Sequence, residues 1–161
     1  CKRGHAECAR KLVNANANVN TPLLNGVTPL HSAVSLGQDS CVRLLLDARA
    51  EVGSALSLAC EAGAASCLEV LLCRAEAPRP NAAHMRVACS AGEAAIVQRL
   101  LEFGAPANAT FGDERSTPLH FACEAGSAAC VDLLLHARAR VDVAAGASQR
   151  TPLMVAALRG H

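Results

Sequence analysis

The stretch TPLHFACEAGSAACVDLLLHARA, from Thr117 to Ala139, contains the pattern that decides the fold. A short apolar segment opens with Thr-Pro and ends at Gly126, and a second apolar segment follows. Pro suits the first turn of a helix, where its missing N–H would have no partner, and the Thr before it can cap that helix. Gly126 allows a sharp turn between two short helices. The stretch therefore predicts a helix–turn–helix unit.

Near-copies of this stretch recur along the whole chain. A Gly ends a comparable segment at successive spacings of 33, 26, 29, 34 and 34 residues, at Gly4, Gly37, Gly63, Gly92, Gly126 and Gly160. The segments after these glycines, such as CVRLLL and CLEVLL, place apolar residues at i, i+3 and i+4, which gives one buried helical face. One helix pair cannot bury enough surface alone, so the chain is predicted to be an all-α solenoid of stacked helix–turn–helix units with short hairpin loops.

The alignment on glycines divides the chain into repeats. We expect one repeat domain over 1–161, made of a partial repeat 1–20, repeats 28–52, 54–81, 83–116 and 117–150, and a partial repeat 151–161. Stacked repeats need polar capping units, and neither end supplies one, so we expect a fragment of a longer array. The two short spacings predict stunted hairpins around residues 48–54 and 75–82.

The Thr-Pro-Leu-His motif is complete at residues 28–31 and 117–120, nearly complete at 151–154 and degenerate in the other copies. With the Gly and the leucine pair that follow it, the repeating unit resembles the ankyrin repeat in five or six copies in register. The resemblance covers essentially the whole chain. It implies that His31 and His120 bridge Thr and neighbouring backbone by hydrogen bonds, rather than serving as bases or metal ligands. It also implies a turn Gly after the second helix, which is present as Gly104. The matching residues elsewhere are Asn16, Arg49, Ala75 and Arg138, and an Arg with positive φ there would cost about 1 kcal/mol.

A finer pattern, A-C-x-x-G-x-x-x-C-(V/L)-x-x-L-L, occurs at residues 59–72 and 122–135. It is similar to the ankyrin and SOCS box family, whose members recruit substrates to a cullin-type ubiquitin ligase. Four interpretations of the function stay open. The chain is a protein–protein interaction module or adaptor, the substrate-recognition part of such a ligase, a set of regulatory repeats attached to an enzyme or channel domain outside this fragment, or a purely structural spacer.

The nine cysteines are predicted to be core residues. No CxxC occurs, and eight of the nine fall in two columns of the alignment that Val, Ile and Ala also occupy; only Cys73 falls outside. Free Cys behaves there as a small hydrophobe. Reduced thiols fit a reducing compartment, so we expect an intracellular location, in the cytoplasm or the nucleus.

Several classes of function are excluded by what the sequence lacks. The net charge is +1 and Lys is nearly absent, which argues against binding to nucleic acid. No apolar run of 18 residues indicates a membrane segment. No HExxH, GxSxG, GxGxxG or P-loop motif occurs, so we expect no enzyme, no cofactor, no metal and no small-molecule substrate.

The partner is therefore expected to be another protein, held along a concave face and hairpin tips. The position two residues before each turn Gly, here called the outer position, should face that groove; it is occupied by Ser35, Glu61, Ser90, Glu124 and Leu158. Its two acids favour a partner with Arg or Lys, although solubilising surface residues would look the same. The polar loop at 110–117 adds the candidates Phe111, Asp113, Glu114 and Arg115. Phe111 either contacts the partner or folds back on its own hairpin.

Overall fold

The computed structural model describes residues 3–74 and 79–161, and within these ranges the backbone forms ten helices. Two compact units divide the chain, at residues 1–78 and 79–161. The first unit contains α1 (Arg3–Asn14), α2 (Pro29–Ser35), α3 (Asp39–Asp47), α4 (Ala55–Glu61) and α5 (Ala65–Leu72). The second contains α6 (Ala82–Ala91), α7 (Ala94–Glu102), α8 (Pro118–Glu124), α9 (Ala128–His136) and α10 (Pro152–Arg159). The predicted all-α solenoid architecture is confirmed.

Each unit is a pair of helix layers. In the first unit, α2 packs on α4 in one layer, while α3 packs on α1 and α5 in the other. In the second unit, α8 lies between α6 and α10, and α7 packs on α9. The layers meet at fully buried aliphatic side chains such as Leu30, Leu56 and Leu68 in the first unit, and Ile96 and Leu134 in the second. The core is therefore built from short side chains, as the low aromatic content requires.

Helix starts follow the predicted chemistry. The Thr28 hydroxyl accepts a hydrogen bond from the backbone N–H of His31 at 3.4 Å, and Thr151 does the same for Met154 at 3.4 Å. A Pro follows each Thr at the first helical position. Gly126 ends the first helix of its pair with φ at +66°, a conformation that a side chain would disfavour. Local sequence thus sets where these helices begin and end.

One helix starts where the alignment did not place it. The degenerate copy at 83–92 puts the capping position at Ala83, but α6 is capped two residues earlier by Asn81. The Asn81 N–H donates to Nδ1 of His84 at 3.1 Å, and the His84 N–H donates to the Asn81 side-chain oxygen at 3.3 Å. Asn-x-x-His therefore forms the same cap as Thr-x-x-His.

Six of the nine cysteines occupy the core as predicted: Cys41, Cys60, Cys67, Cys89, Cys123 and Cys130 are buried and free. Cys8 is exposed, so its predicted burial is wrong. Its helix, α1, packs on α3 but has no first helix beside it within the described residues. Cys73, outside the alignment columns, is exposed, and Cys1 lies outside the described residues.

The connecting turns keep the left-handed geometry that the resemblance implies. Asn16, Arg49 and Arg138 have φ of 61°, 61° and 59°.

Isolated antiparallel bridges close the hairpins Phe111–Ser116 and Ala145–Arg150, whereas residues 48–54, all described, form none. The first stunted hairpin is thus confirmed, while residues 75–78, and with them Ala75, lie outside the described part. The alignment placed Gly4 at a turn, but it falls within α1.

Candidate partner-binding surface

His120 ties the start of α8 to the hairpin that follows. Its Nδ1 accepts from the Thr117 N–H at 3.1 Å, and its Nε2 lies 3.0 Å from the carbonyl oxygen of Arg150. An N–H can only donate and a carbonyl can only accept, so the ring carries its single hydrogen on Nε2. The bridging role predicted for this residue is confirmed.

His31 plays the same part in the first unit. Its Nδ1 accepts from the Thr28 N–H at 3.2 Å, and its Nε2 lies 2.9 Å from the hydroxyl oxygen of Ser54. Both ring nitrogens of both histidines are therefore engaged in hydrogen bonds that hold hairpins in place. Neither ring has a nitrogen left to act as a base or metal ligand.

Two asparagines, which the sequence analysis missed, fix neighbouring hairpins. The Asn20 side-chain oxygen accepts from the Glu51 N–H at 2.9 Å. Asn108 accepts from the Arg140 N–H at 2.8 Å and donates to the Arg138 carbonyl at 3.0 Å. A signal existed, because each Asn stands four residues after a turn position, Asn16 or Gly104.

The outer positions all lie outside the core. Each of the five is exposed: Ser35, Glu61, Ser90, Glu124 and Leu158. The contrast with adjacent residues is sharp, because Val34 and Cys60 on the same helices have no exposed surface. Leu158 is an apolar side chain that is 66% exposed. Exposure at these positions means that the core does not depend on their side chains.

The first unit has a polar cleft beside one outer acid. The Glu61 cleft has a volume of about 390 Å³ and is lined by residues that include His31, Ser35, Ser54, Ser57, Leu58 and Glu61. Glu61 supplies its one carboxylate. Ser35 donates from its hydroxyl to the His31 carbonyl at 3.0 Å, which leaves the lone pairs of its oxygen open to donors.

The second unit has a cleft of mixed character. The Leu158 cleft, with a volume of 300 Å³, is lined by residues that include Glu114, Phe121, Glu124, Val155, Leu158 and Arg159. Glu124 forms an ion pair with Arg159 at its rim. Phe121 and Val155 occupy the same repeat position as Leu58 in the first unit. That position is half-buried in all three residues and lines both clefts.

Phe111 folds back onto its own repeat. Its ring packs edge-to-face on Phe121, with centroids 5.5 Å apart and planes at 73°, and its N–H donates to the Ser116 carbonyl at 2.8 Å. The neighbouring loop residues Asp113, Glu114 and Arg115 are exposed. Since Phe111 is only half-buried, contact with a partner stays a prediction for it, as it does for the three charged residues.

The thiols of Cys60 and Cys89 are buried in the core and are not nucleophilic. Burial, reinforced by the charge of Glu61, raises the pKa of Cys60 to about 12, and burial with the nearby Cys130 raises the pKa of Cys89 to about 12. Both thiols therefore stay protonated and non-nucleophilic at neutral pH. Across residues 3–74 and 79–161, no cluster of three His, Cys, Asp or Glu side chains is placed to hold a metal ion. None of the helices described is both long and apolar enough to cross a bilayer.

Comparison with known proteins agrees with this architecture. The chain matches the family model described as "Ankyrin repeats (3 copies)" over residues 1–55, 56–145 and 85–161. It is similar to the crystal structure of the human ASB11 ankyrin repeat domain, with a TM-score of 0.81 and 30% sequence identity. That match covers 96% of this chain and 73% of the other. No curated protein sequence matches the chain.

Proposed function

Because the chain belongs to the ankyrin repeat family, we propose that it is an adaptor that holds a partner protein against its first helices and hairpins. Ankyrin repeats are protein–protein interaction modules. The observation that carries the proposal is the exposure of the outer positions beside an open cleft in each unit. Those side chains are not needed by the core, so a partner can contact them without disturbing the fold.

The Leu158 cleft has the composition of an interface centre. Leu158, Val155 and Phe121 form an apolar floor, and Glu114 with the Glu124–Arg159 pair forms a charged rim. Stable interfaces combine an apolar core with a polar rim in this way. A partner that removes an exposed leucine from water at such a place binds more favourably, by about 25 cal/mol per Å² of apolar surface buried. We propose that this cleft anchors the partner.

The test is quantitative capture of binding proteins from a cell lysate by the full chain and by Leu158→Asp. Leu153→Asp is the matched control, because Leu153 lies on the same helix, is 77% exposed and does not line this cleft. We expect captured proteins to be lost with Leu158→Asp and kept with Leu153→Asp. An identical set of captured proteins from both variants would contradict the proposal.

A second candidate function is substrate recognition within a cullin-type ubiquitin ligase. Two observations support it: 30% identity to the human ASB11 ankyrin repeat domain, and the repeated A-C-x-x-G-x-x-x-C pattern. Purification of the natural full-length protein from cells should then bring down a cullin. If no cullin accompanies the protein while other partners do, this narrower function is wrong and the binding module stands.

We also propose an intracellular location. Six buried free thiols and no disulfide among the described cysteines suit a reducing compartment. Fractionation of cells that express the natural protein, followed by immunodetection, tests this directly. Recovery in the culture medium alone would contradict it.

A further inference from the structure

We propose that the Glu61 cleft binds an arginine side chain of the partner, with the guanidinium on the Glu61 carboxylate and the methylene stem on Leu58. The inference rests on the proposed binding function and gives the chemistry of the partner at one place. It concerns only the first unit. Three features of the cleft support it: its charge, its hydrogen-bonding groups and its apolar surface.

The charge of the cleft is negative and is not balanced from within. Glu61 is its one acid, and no ion pair involving Glu61 forms among the residues described. Glu124, at the same outer position in the second unit, is instead paired with Arg159. Arg159 stands one residue before a turn Gly, and the residue at the corresponding place after Glu61 is Ala91. Arg at this place in the repeat therefore pairs with one outer acid, and the repeat that follows Glu61 carries Ala there.

The hydrogen-bonding groups of the cleft include acceptors that suit a guanidinium. His31 is engaged through both nitrogens, so it offers no free N–H. The Ser35 hydroxyl hydrogen is used on the His31 carbonyl, so its oxygen can only accept from a ligand. A guanidinium carries five N–H donors and no acceptor, and it forms two parallel hydrogen bonds to a carboxylate. A cleft that combines a carboxylate with hydroxyl acceptors therefore complements arginine.

The apolar surface distinguishes arginine from a small cation. Leu58 is half-buried and lines the same cleft as Glu61, one helical turn away along α4. Long basic side chains lay their methylene stems on such surfaces while the charged end reaches a polar group. Glu61 is exposed, so its carboxylate is accessible without any rearrangement of α4.

The experiment is an NMR titration of the isotope-labelled chain with the Nα-acetyl amides of arginine, citrulline and lysine, each with its side chain unmodified. Citrulline has nearly the same shape as arginine but no charge. We expect concentration-dependent shifts at residues 54–61 with arginine, and binding weaker by about tenfold, or about 1.4 kcal/mol, with citrulline. Glu61→Gln should abolish the arginine response, whereas the matched control Glu124→Gln should preserve it.

Each result decides the inference. No saturable shift at residues 54–61 with the arginine probe, or an unchanged response in Glu61→Gln, would overturn it. Equal binding of the lysine probe would replace arginine by a general cation site and overturn it as stated. A failure of the arginine inference can be distinguished from a failure of the proposed function. If Leu158→Asp loses captured proteins while Glu61→Gln keeps them all, the chain is a binding module whose partner does not use this cleft.

Discussion

The carboxylate of Glu124 and the guanidinium of Arg159 form an ion pair between α8 and α10, although the two residues are 35 positions apart. The pair joins the last two first helices of the second unit at the rim of the Leu158 cleft. It also separates two acids that the repeat alignment treats as equivalent. Glu124 is neutralised by Arg159, whereas no cation pairs with Glu61 in the part of the chain that the structure describes, so of the two acids Glu61 leaves a negative charge open to a partner.

Removal of Arg159 should free Glu124 at little cost in stability. The side chains of Arg159 and Glu124 are 57% and 49% exposed, and ion pairs so open to water contribute about 0–1 kcal/mol. We therefore expect Arg159→Gln to lower the free energy of unfolding in urea by less than about 1 kcal/mol. The same variant should acquire a response to N-acetylarginine amide around residue 124. A loss of several kcal/mol would mean that the pair, rather than packing, holds α10 in place.

Loss of His120 should have a far larger effect. The side chain is buried, and its two ring nitrogens satisfy the Thr117 N–H and the Arg150 carbonyl. A buried polar group left without a partner costs about 1–3 kcal/mol. We expect His120→Ala to lower the free energy of unfolding by about that amount and to speed hydrogen exchange in the hairpin at 145–150. His136→Ala is the control, because His136 is exposed and should change stability by less than about 0.5 kcal/mol.

These two cases illustrate which features could be predicted from the sequence. The role of His120 follows from a local motif, since Thr-x-x-His sets the geometry of one helical turn. The cap at Asn81 follows from the same local spacing, Asn-x-x-His. An alignment on the turn glycines misplaces it, because α6 begins two residues further from Gly92 than α8 begins from Gly126. The pairing of Glu124 with Arg159 depends instead on how far two stacked helices slide past each other, which no local pattern specifies.

The prediction that Cys8 is buried was wrong for a related reason. Its position in the alignment predicts a core residue, yet a column in a repeat alignment is buried only where both neighbouring helices are present. The apolar character of a position can be read from the sequence, while the presence of what covers it cannot. The same reasoning applies to the outer positions, whose exposure follows from the helical period but whose partners do not.

Replacing strained turn residues should stabilise the chain. Arg49 has φ of 61°, a conformation that costs a residue with a side chain about 1–2 kcal/mol relative to glycine. We expect Arg49→Gly to raise the free energy of unfolding by up to about 1 kcal/mol, because the relief exceeds the added entropy of the unfolded chain. Arg43→Gly, inside α3, is the matched control and should lower it by about 1 kcal/mol. Equal losses from both changes in urea unfolding would show that the Arg49 side chain makes compensating contacts.

The stability of the chain should fall in mild acid because of His84. Burial lowers the pKa of His84 in the folded state below its ordinary value of 6.5, so the unfolded chain takes up a proton first as the pH drops. The neutral His84 ring therefore makes its full contribution to the free energy of unfolding above about pH 6.5. That contribution declines below about pH 6.5 and is lost once the pH falls below the pKa of His84 in the folded state. Thermal unfolding of the wild type and His84→Gln between pH 5 and 8 measures this. We expect the wild type to lose more stability than the variant between pH 7 and 5, and parallel curves would contradict the assignment, since the proton would then be taken up elsewhere.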